Sequence, residues 1–321
     1  MSKTIAVLDA DIIAFRCSAA NETRSIKATH KTTGQEIICP HRTGLKEQIR
    51  GVFEIDEFEI EDVQTTGDVA NAFHAMNTCI EAFQKSCGAS SYEMYISGVD
   101  NFRDSLPLPT KYKSNRTGIR PVLLKECREY LIKKRGAIVV NGREVDDMLA
   151  QRCYEGIQQG VKTVAVTNDG DQNGCAGYYY NWTKMREPFL VQGLGKVELS
   201  ENRKDFDGYG RKFFYAQWVY GDWNVDRFKP AEISGKKFGV VAMCSLFEGL
   251  KTDRECVEAV YNQYKKWYPV EPVGYVDWTG TKQSKTVIEL MDMYAACAHM
   301  KRFKDDVFNT EKLLAALNIA V

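Results

Sequence analysis

The sequence predicts an α/β protein built on a parallel sheet flanked by helices, and three observations carry that expectation. Short apolar segments within "TIAVLDADIIAF", "YEMYISG", "AIVVNGR" and "KTVAVTNDGDQ" read as strands, several too apolar to face water on either side. Segments with apolar residues at helical spacing, such as "DVANAFHAMNTCIEAFQKSC" (68–87), lie between them. The order strand, helix, strand, helix favours parallel pairing, because parallel neighbours need a crossover connection.

Taken in order, the first strand ends in Asp9, with Asp11 on the same side of an extended chain. Residues 24–62 hold short β-like pieces around Gly34 and an alternating acidic stretch, and are expected to form an inserted hairpin region. The helix at 68–87 leads to a strand followed by Asp100. "GREVDDMLAQ" then places Glu144, Asp146 and Asp147 directly before a helical run. Acids at a helix N-terminus cap free N–H groups and oppose the dipole, but one acid suffices for that. Three so close repel one another unless a cation compensates them. The last strand of the series ends in Asp169 and Asp171. Near the C-terminus, "KTVIELMDMYAACAHMKRF" has the spacing of a core-packing helix, and the five Trp are expected mainly in the core.

Acids therefore follow four separate strands. Sites in parallel sheets lie beyond the carboxyl ends of the strands, so these acids are expected to share one edge. Such a cluster is tolerable only with cations among it, and oxygen ligands without matching His or Cys favour Mg²⁺ or Mn²⁺. Paired ions held by carboxylates serve phosphoryl chemistry.

The 321 residues, 44% hydrophobic and 27% charged, suit a soluble globular protein with one large or two ordinary domains. No apolar run approaches the roughly 18 residues of a membrane span. The N-terminal stretch does not read as a cleavable signal, so a cytoplasmic location and no membrane partner are expected. Ten cysteines without a Cys-x-x-Cys pair read as reduced packing thiols, and His30, Cys39 and His41 are too few and too irregular for a zinc site. Net charge is zero, from 43 basic and 43 acidic residues, yet the charges are segregated. Residues 111–135 carry nine Lys or Arg against Glu126 and Glu129, whereas 54–62 carry six acids and no base. Within the basic stretch, "PTKYKSNRTGIRP" sets Tyr112 among Lys111, Lys113 and Arg116, cations for phosphates around an aromatic on which a base could stack.

"LDADIIAF", "VDNFRDSLPLPTKYKSNR", "REVDDMLA", "VTNDGDQ" and "FFYAQWVYGD" occur in the order found in the 5′-nuclease superfamily of flap endonucleases and 5′-to-3′ exonucleases. The sequence most resembles the exonucleases of tailed bacteriophages, over roughly residues 5–20 and 92–250. The resemblance implies a PIN-like nuclease domain (1–185) with a helical arch, then a helix-three-turn-helix DNA-binding and C-terminal helical region (186–321). It implies a metal-dependent 5′-to-3′ exonuclease or flap endonuclease that hydrolyses DNA by a two-metal-ion mechanism and leaves 5′-phosphates. By position, Asp9, Asp100, Glu144, Asp146, Asp147, Asp169, Asp171 and Asp222 would hold two Mg²⁺ ions, with Mn²⁺ as substitute. Asp146, Asp147, Lys113 and Arg116 are the implied catalytic residues. Arg103, Tyr112, Lys113, Arg116, Lys236 and Lys237 are the implied contacts to DNA.

Two motifs depart from the family pattern. "GDWNVD" puts Asp226 one position late for a ligand, and Ser234-Gly235-Lys236-Lys237 replaces the Gly-x-Gly-x-Lys turn that often carries a K⁺ ion. One alternative is a catalytically inactive, structure-specific DNA-binding relative, whose mark would be loss of a ligand acid. Another is a haloacid-dehalogenase-like phosphatase, which "LDADI" and "NDGDQN" resemble, but Ile13 stands where that family has Thr or Val.

Overall fold

The computed structural model describes residues 3–320. The first half of the chain runs β1 (Thr4–Asp9), α1 (Ala10–Ala20), β2 (Glu22–His30), β3 (Glu36–Cys39), α2 (Arg42–Ile49), β4 (Phe58–Thr66), α3 (Val69–Ser86), β5 (Ser91–Asn101), α4 (Leu124–Arg135), β6 (Ile138–Gly142) and α5 (Val145–Gln159). The second half runs β7 (Lys162–Val166), β8 (Gly177–Tyr180), β9 (Phe189–Val191), β10 (Lys196–Leu199), β11 (Phe206–Tyr209), α6 (Arg211–Tyr220), α7 (Val240–Leu246), α8 (Asp253–Trp267), β12 (Val273–Val276), β13 (Lys282–Lys285), α9 (Val287–Ala298) and α10 (Thr310–Ala316). The result is the expected mixed α/β fold, a central parallel sheet flanked by helices. No helix among the described residues is long and apolar enough to cross a membrane.

Two compact units share the chain. The first contains β1, residues 82–118 and everything from 137 onward; the second contains 10–81 and 119–136. In the first unit the sheet order is β6-β5-β1-β7-β8-β9, parallel throughout except for the antiparallel edge strand β9. Every residue of β1 is buried, as its unbroken apolar run requires of a central parallel strand. Helix α5 lies on this sheet, with Val145, Leu149 and Cys153 packed among Ile5, Val7, Tyr95, Val140 and Ala165. A second core in the same unit gathers α6, α8 and α9 around Trp218, Tyr264 and Tyr294. Its buried polar atoms are largely paired: Trp218 Nε1 donates to the Met291 carbonyl at 2.8 Å, and Tyr264 Oη donates to the Trp218 carbonyl at 2.7 Å.

The second unit pairs β3-β2-β4 as an antiparallel sheet over a small core of Ile26, Ala28, Cys39, Leu45, Ile49 and Phe58. Here the expected single strand "TIAVLDADIIAF" is corrected: extended chain ends at Asp9, and Ala10 begins α1. Asp11 lies in the first turn of α1, consistent with the helix-capping role that the sequence favours over a ligand, and it is ion-paired with Arg128 of α4. The side chains of His30, Cys39 and His41 each make a local contact within this unit. His30 packs on Phe53 and Phe58, Cys39 donates to Gln48, and His41 caps α2 by accepting from the Gly44 amide. All ten cysteines are free thiols, as their scattered spacing predicts.

Candidate active site

The acids that follow β1, β6 and β7, together with those after α6, all belong to the first unit. Asp9 closes β1 and is buried, its Oδ2 accepting from the Thr167 hydroxyl at 3.0 Å. The same Thr167 oxygen accepts from the Asp169 amide at 3.2 Å, so one hydroxyl ties together the ends of β1 and β7. Asp169 Oδ1 in turn accepts from the Asp171 amide at 3.0 Å, shaping the turn after β7. Gln217 of α6 donates to Asp171 Oδ1 at 2.6 Å. After α6, a tight loop closes with Asp222 and Phe228 paired, the Asp222 amide donating to the Phe228 carbonyl at 3.0 Å.

The carboxylates fall into two populations. Asp146, Asp169, Asp171 and Asp222 form no ion pair among the described residues, although all are half-buried. Burial, then the charges of Asp169, Asp9, Glu144 and Asp171, push the Asp146 carboxyl well above the usual carboxylate range. Burial and Asp169, with Asp226 and Asp222, do the same to Asp171. Asp222 is also raised, by burial first and by Asp226, Asp205 and Asp169, against the Val225 amide that pulls it down. Asp146 Oδ1 is buried with no hydrogen-bond partner. Like charges gathered in partial burial, with one orphaned acceptor, are the electrostatic demand that a hard cation meets. Among the described residues no three of these side chains already converge on one point as a closed cage. Mg²⁺ needs none, since it keeps several waters and takes one or two carboxylates directly. Asp169, Asp171 and Asp222 line a cleft of about 750 Å³.

The second population is paired with bases. Asp147 is fully buried and takes Arg103 Nη1 at 2.7 Å and Nη2 at 2.9 Å, with the Lys301 amide at 3.0 Å and the Glu144 amide at 3.1 Å. The bond to the Glu144 amide is half of a capping box at the start of α5. Burial alone would raise the Asp147 carboxyl, but the Arg103 guanidinium outweighs it and holds the carboxyl below its ordinary value. With its acceptor positions filled, Asp147 anchors the start of α5. Arg103 is corrected too: it is fully buried, donates also to the Cys297 and His299 carbonyls, and has no surface to offer DNA.

Glu144 is held by Asn101 Nδ2 at 2.9 Å, by Lys113 Nζ, by Arg103 Nη1 at 3.7 Å and by the Tyr112 hydroxyl at 3.4 Å. Asp226, expected one position late for a ligand, accepts from Tyr112 Oη at 2.7 Å and pairs with Arg116 at 3.2 Å and Lys113 at 3.7 Å. Tyr112 is consequently buried, 3% exposed, and cannot stack on a base as the sequence suggested. Replacing it tests this directly. Tyr112→Phe would preserve a stacking surface, but it leaves buried Asp226 short of a donor and should cost about 1–3 kcal/mol in urea unfolding.

Asp100 sits in β5 next to Asn101, which pairs with Gly142 and donates to Glu144, so the chain at Asp100 reaches the same end of the sheet as the other acids. Pairing with β6 is interrupted between Ser97 and Asn101, and Asp100 emerges exposed with φ 61°. Of the remaining expected contacts, Arg116, Lys236 and Lys237 are exposed and Lys113 is half-buried. Sequence reading missed Thr167, Gln217 and Asp205. Thr167 and Gln217 lie inside the quoted motifs, beside acids that drew the attention.

The parallel sheet flanked by helices is the fold seen in a flap endonuclease of bacteriophage T5. The bacteriophage T5 flap endonuclease, crystallised as a pseudo-enzyme–product complex with DNA and metal ions, matches with a TM-score of 0.52 at 12% identity, covering 98% of both chains. T5 5′-exonuclease with bound zinc matches at a TM-score of 0.48 and 12% identity, over 99% of this chain and 90% of that one. No family model and no curated protein sequence matches the chain.

Proposed function

We propose that the protein is a divalent-metal-dependent 5′-nuclease that cuts DNA phosphodiesters at or near a 5′ end and leaves 5′-phosphates. One observation carries this reading: Asp146, Asp169, Asp171 and Asp222, half-buried and without ion pairs among the described residues, with Asp146 Oδ1 unpartnered. The T5 enzyme of the same fold was crystallised with DNA and metal ions, which supports the same two partners here. Asp9, Asp146, Asp169, Asp171 and Asp222 would hold the ions, Mg²⁺ with Mn²⁺ as substitute, by virtue of their oxygen donors. When bound, the ions supply Lewis-acid activation for phosphodiester hydrolysis.

The chain's own residues prepare the site. Arg103 and Asp147 fix the start of α5 and hence the direction of Asp146. Lys113 and Arg116 are the cations an entering phosphate meets, exchanging Asp226 for phosphate oxygens while Tyr112 keeps Asp226 in place. Lys236 and Lys237, exposed beside Gly235, suit phosphate contacts in the 186–321 region assigned to duplex DNA.

A DNA-binding relative without catalysis is the second reading, and the occupation of the Asp147 carboxylate by Arg103 favours it. The test is duplex and flap DNA labelled at either the 5′ or the 3′ end, incubated with Mg²⁺ or Mn²⁺. Short 5′-labelled products are expected. Mononucleotides released from the 3′ end would refute the polarity, and binding without any cut would favour the second reading.

A further inference from the structure

Trp223 breaks the expectation that the tryptophans are core residues. It is 38% exposed, as is Trp278, whereas Trp218 is fully buried and Trp267 nearly so; of the two exposed indoles only Trp223 lines the acidic cleft. It stands between Asp222 and Asp226 and lines the same cleft as Asp169, Asp171 and Asp222. The loop that carries it is held in place from several sides. Asn115 Nδ2 donates to the Asn224 carbonyl at 2.6 Å, the Lys113 amide to the Asp226 carbonyl at 3.0 Å, and the Val225 amide to Asp222 Oδ1 at 2.9 Å. The Arg227 guanidinium lies over one face of the indole, 4.8 Å from its centroid, so a base would stack on the opposite face.

Exposing a large aromatic on a held loop costs hydration and returns nothing to the core. In a cleft for phosphates, an indole flanked by a guanidinium recognises the flat face of a nucleobase. We propose that Trp223 is a stacking platform for a base of single-stranded DNA next to the acidic cleft, the role sequence reading gave to Tyr112. This rests on the nuclease reading for its substrate. Tyr112, Lys113, Asn115 and Arg116 then act through the loop: they hold the platform and do not themselves touch the base.

The test is fluorescence anisotropy of a 5′-labelled single-stranded oligonucleotide, with Ca²⁺ in place of Mg²⁺, beside the same oligonucleotide made abasic at its 5′-terminal positions. Trp223→Ala is expected to weaken binding of the intact strand by roughly 5- to 150-fold and to leave the abasic strand nearly unaffected. Trp223→Phe should recover most of the loss. In cleavage with Mg²⁺, Trp223→Ala should raise KM and leave kcat within about twofold, since stacking acts before the transition state. Equal losses on both strands, no loss on either, or a Phe variant as weak as Ala would overturn the platform. The two readings fail separately. Wild type that cuts nothing, yet loses base-dependent binding in Trp223→Ala, sinks the nuclease and keeps the platform. Wild type that cuts, with Trp223→Ala unchanged in Kd and KM, sinks the platform alone.

Discussion

Asp146→Asn lowers DNA cleavage by at least about 100-fold, the scale on which weaker perturbations around metal sites already act, and leaves the protein folded. In EDTA the variant unfolds at a higher temperature than wild type. Both effects follow from one environment: burial and the charges of Asp169, Asp9, Glu144 and Asp171 oppose ionisation of Asp146. The amide keeps the shape and drops the charge. The sign of the pH dependence is fixed by the same shift. Because the folded carboxyl releases its proton later than the unfolded one, the folded state binds more protons between the two pKa values, and stability falls as pH rises through that window. Thermal unfolding in EDTA from the ordinary carboxylate range upward should therefore show a declining Tm in wild type and a shallower decline in Asp146→Asn. Mn²⁺ should raise the wild-type Tm, by about 2.7 kcal/mol of stability at a hundred times its Kd, and raise the variant's less. A variant strongly destabilised in EDTA would show instead that Asp146 serves the helix.

Arg103→Met is expected to destabilise the protein by about 3–5 kcal/mol, because it leaves Asp147 ionised and buried without its partner. The loss is structural first. Arg103 joins Asp147 at the start of α5 to the Cys297 carbonyl in the last turn of α9 and the His299 carbonyl just after it, while the Lys301 amide completes the carboxylate. Removing both charges in Arg103→Met/Asp147→Leu should recover part of the stability, since replacing a buried pair with apolar side chains is often nearly neutral. Recovery stays incomplete because the Lys301 and Glu144 amides lose their acceptor. Denaturant unfolding of the two single variants and the double yields the coupling energy directly. Additive losses would mean that Arg103 and Asp147 act independently.

The parallel sheet was legible in the sequence because its strands are short apolar runs that end in acids, a pattern each segment carries locally. That pattern singled out Asp9, Asp146, Asp169 and Asp171 as candidates, whereas Asp222, which follows α6, came from the resemblance alone. What the sequence could not show were jobs assigned by partners far along the chain. Asp147 looks like Asp146 until Arg103 and Lys301 take its oxygens. Tyr112 reads as a base platform until Asp226 draws its hydroxyl inward. Asp100 ends an apolar run like the other acids, but irregular pairing of β5 with β6 leaves it exposed at φ 61°, a local geometry the sequence pattern does not carry. The segment after α9 gave no sign of reaching the site, because apart from the Met300 thioether its contacts to Arg103 and Asp147 are made by backbone atoms, which any residue supplies.

The account turns on whether the carboxylates left without cations form the centre that cuts DNA. The most direct measurement is cleavage of a 5′-labelled flap DNA by wild type and Asp146→Asn, in Mg²⁺ and in EDTA, with circular dichroism matched between the two proteins. The account predicts short 5′ products from wild type in Mg²⁺ and from no other combination. Equal cleavage by Asp146→Asn, or cleavage by wild type in EDTA, would contradict it.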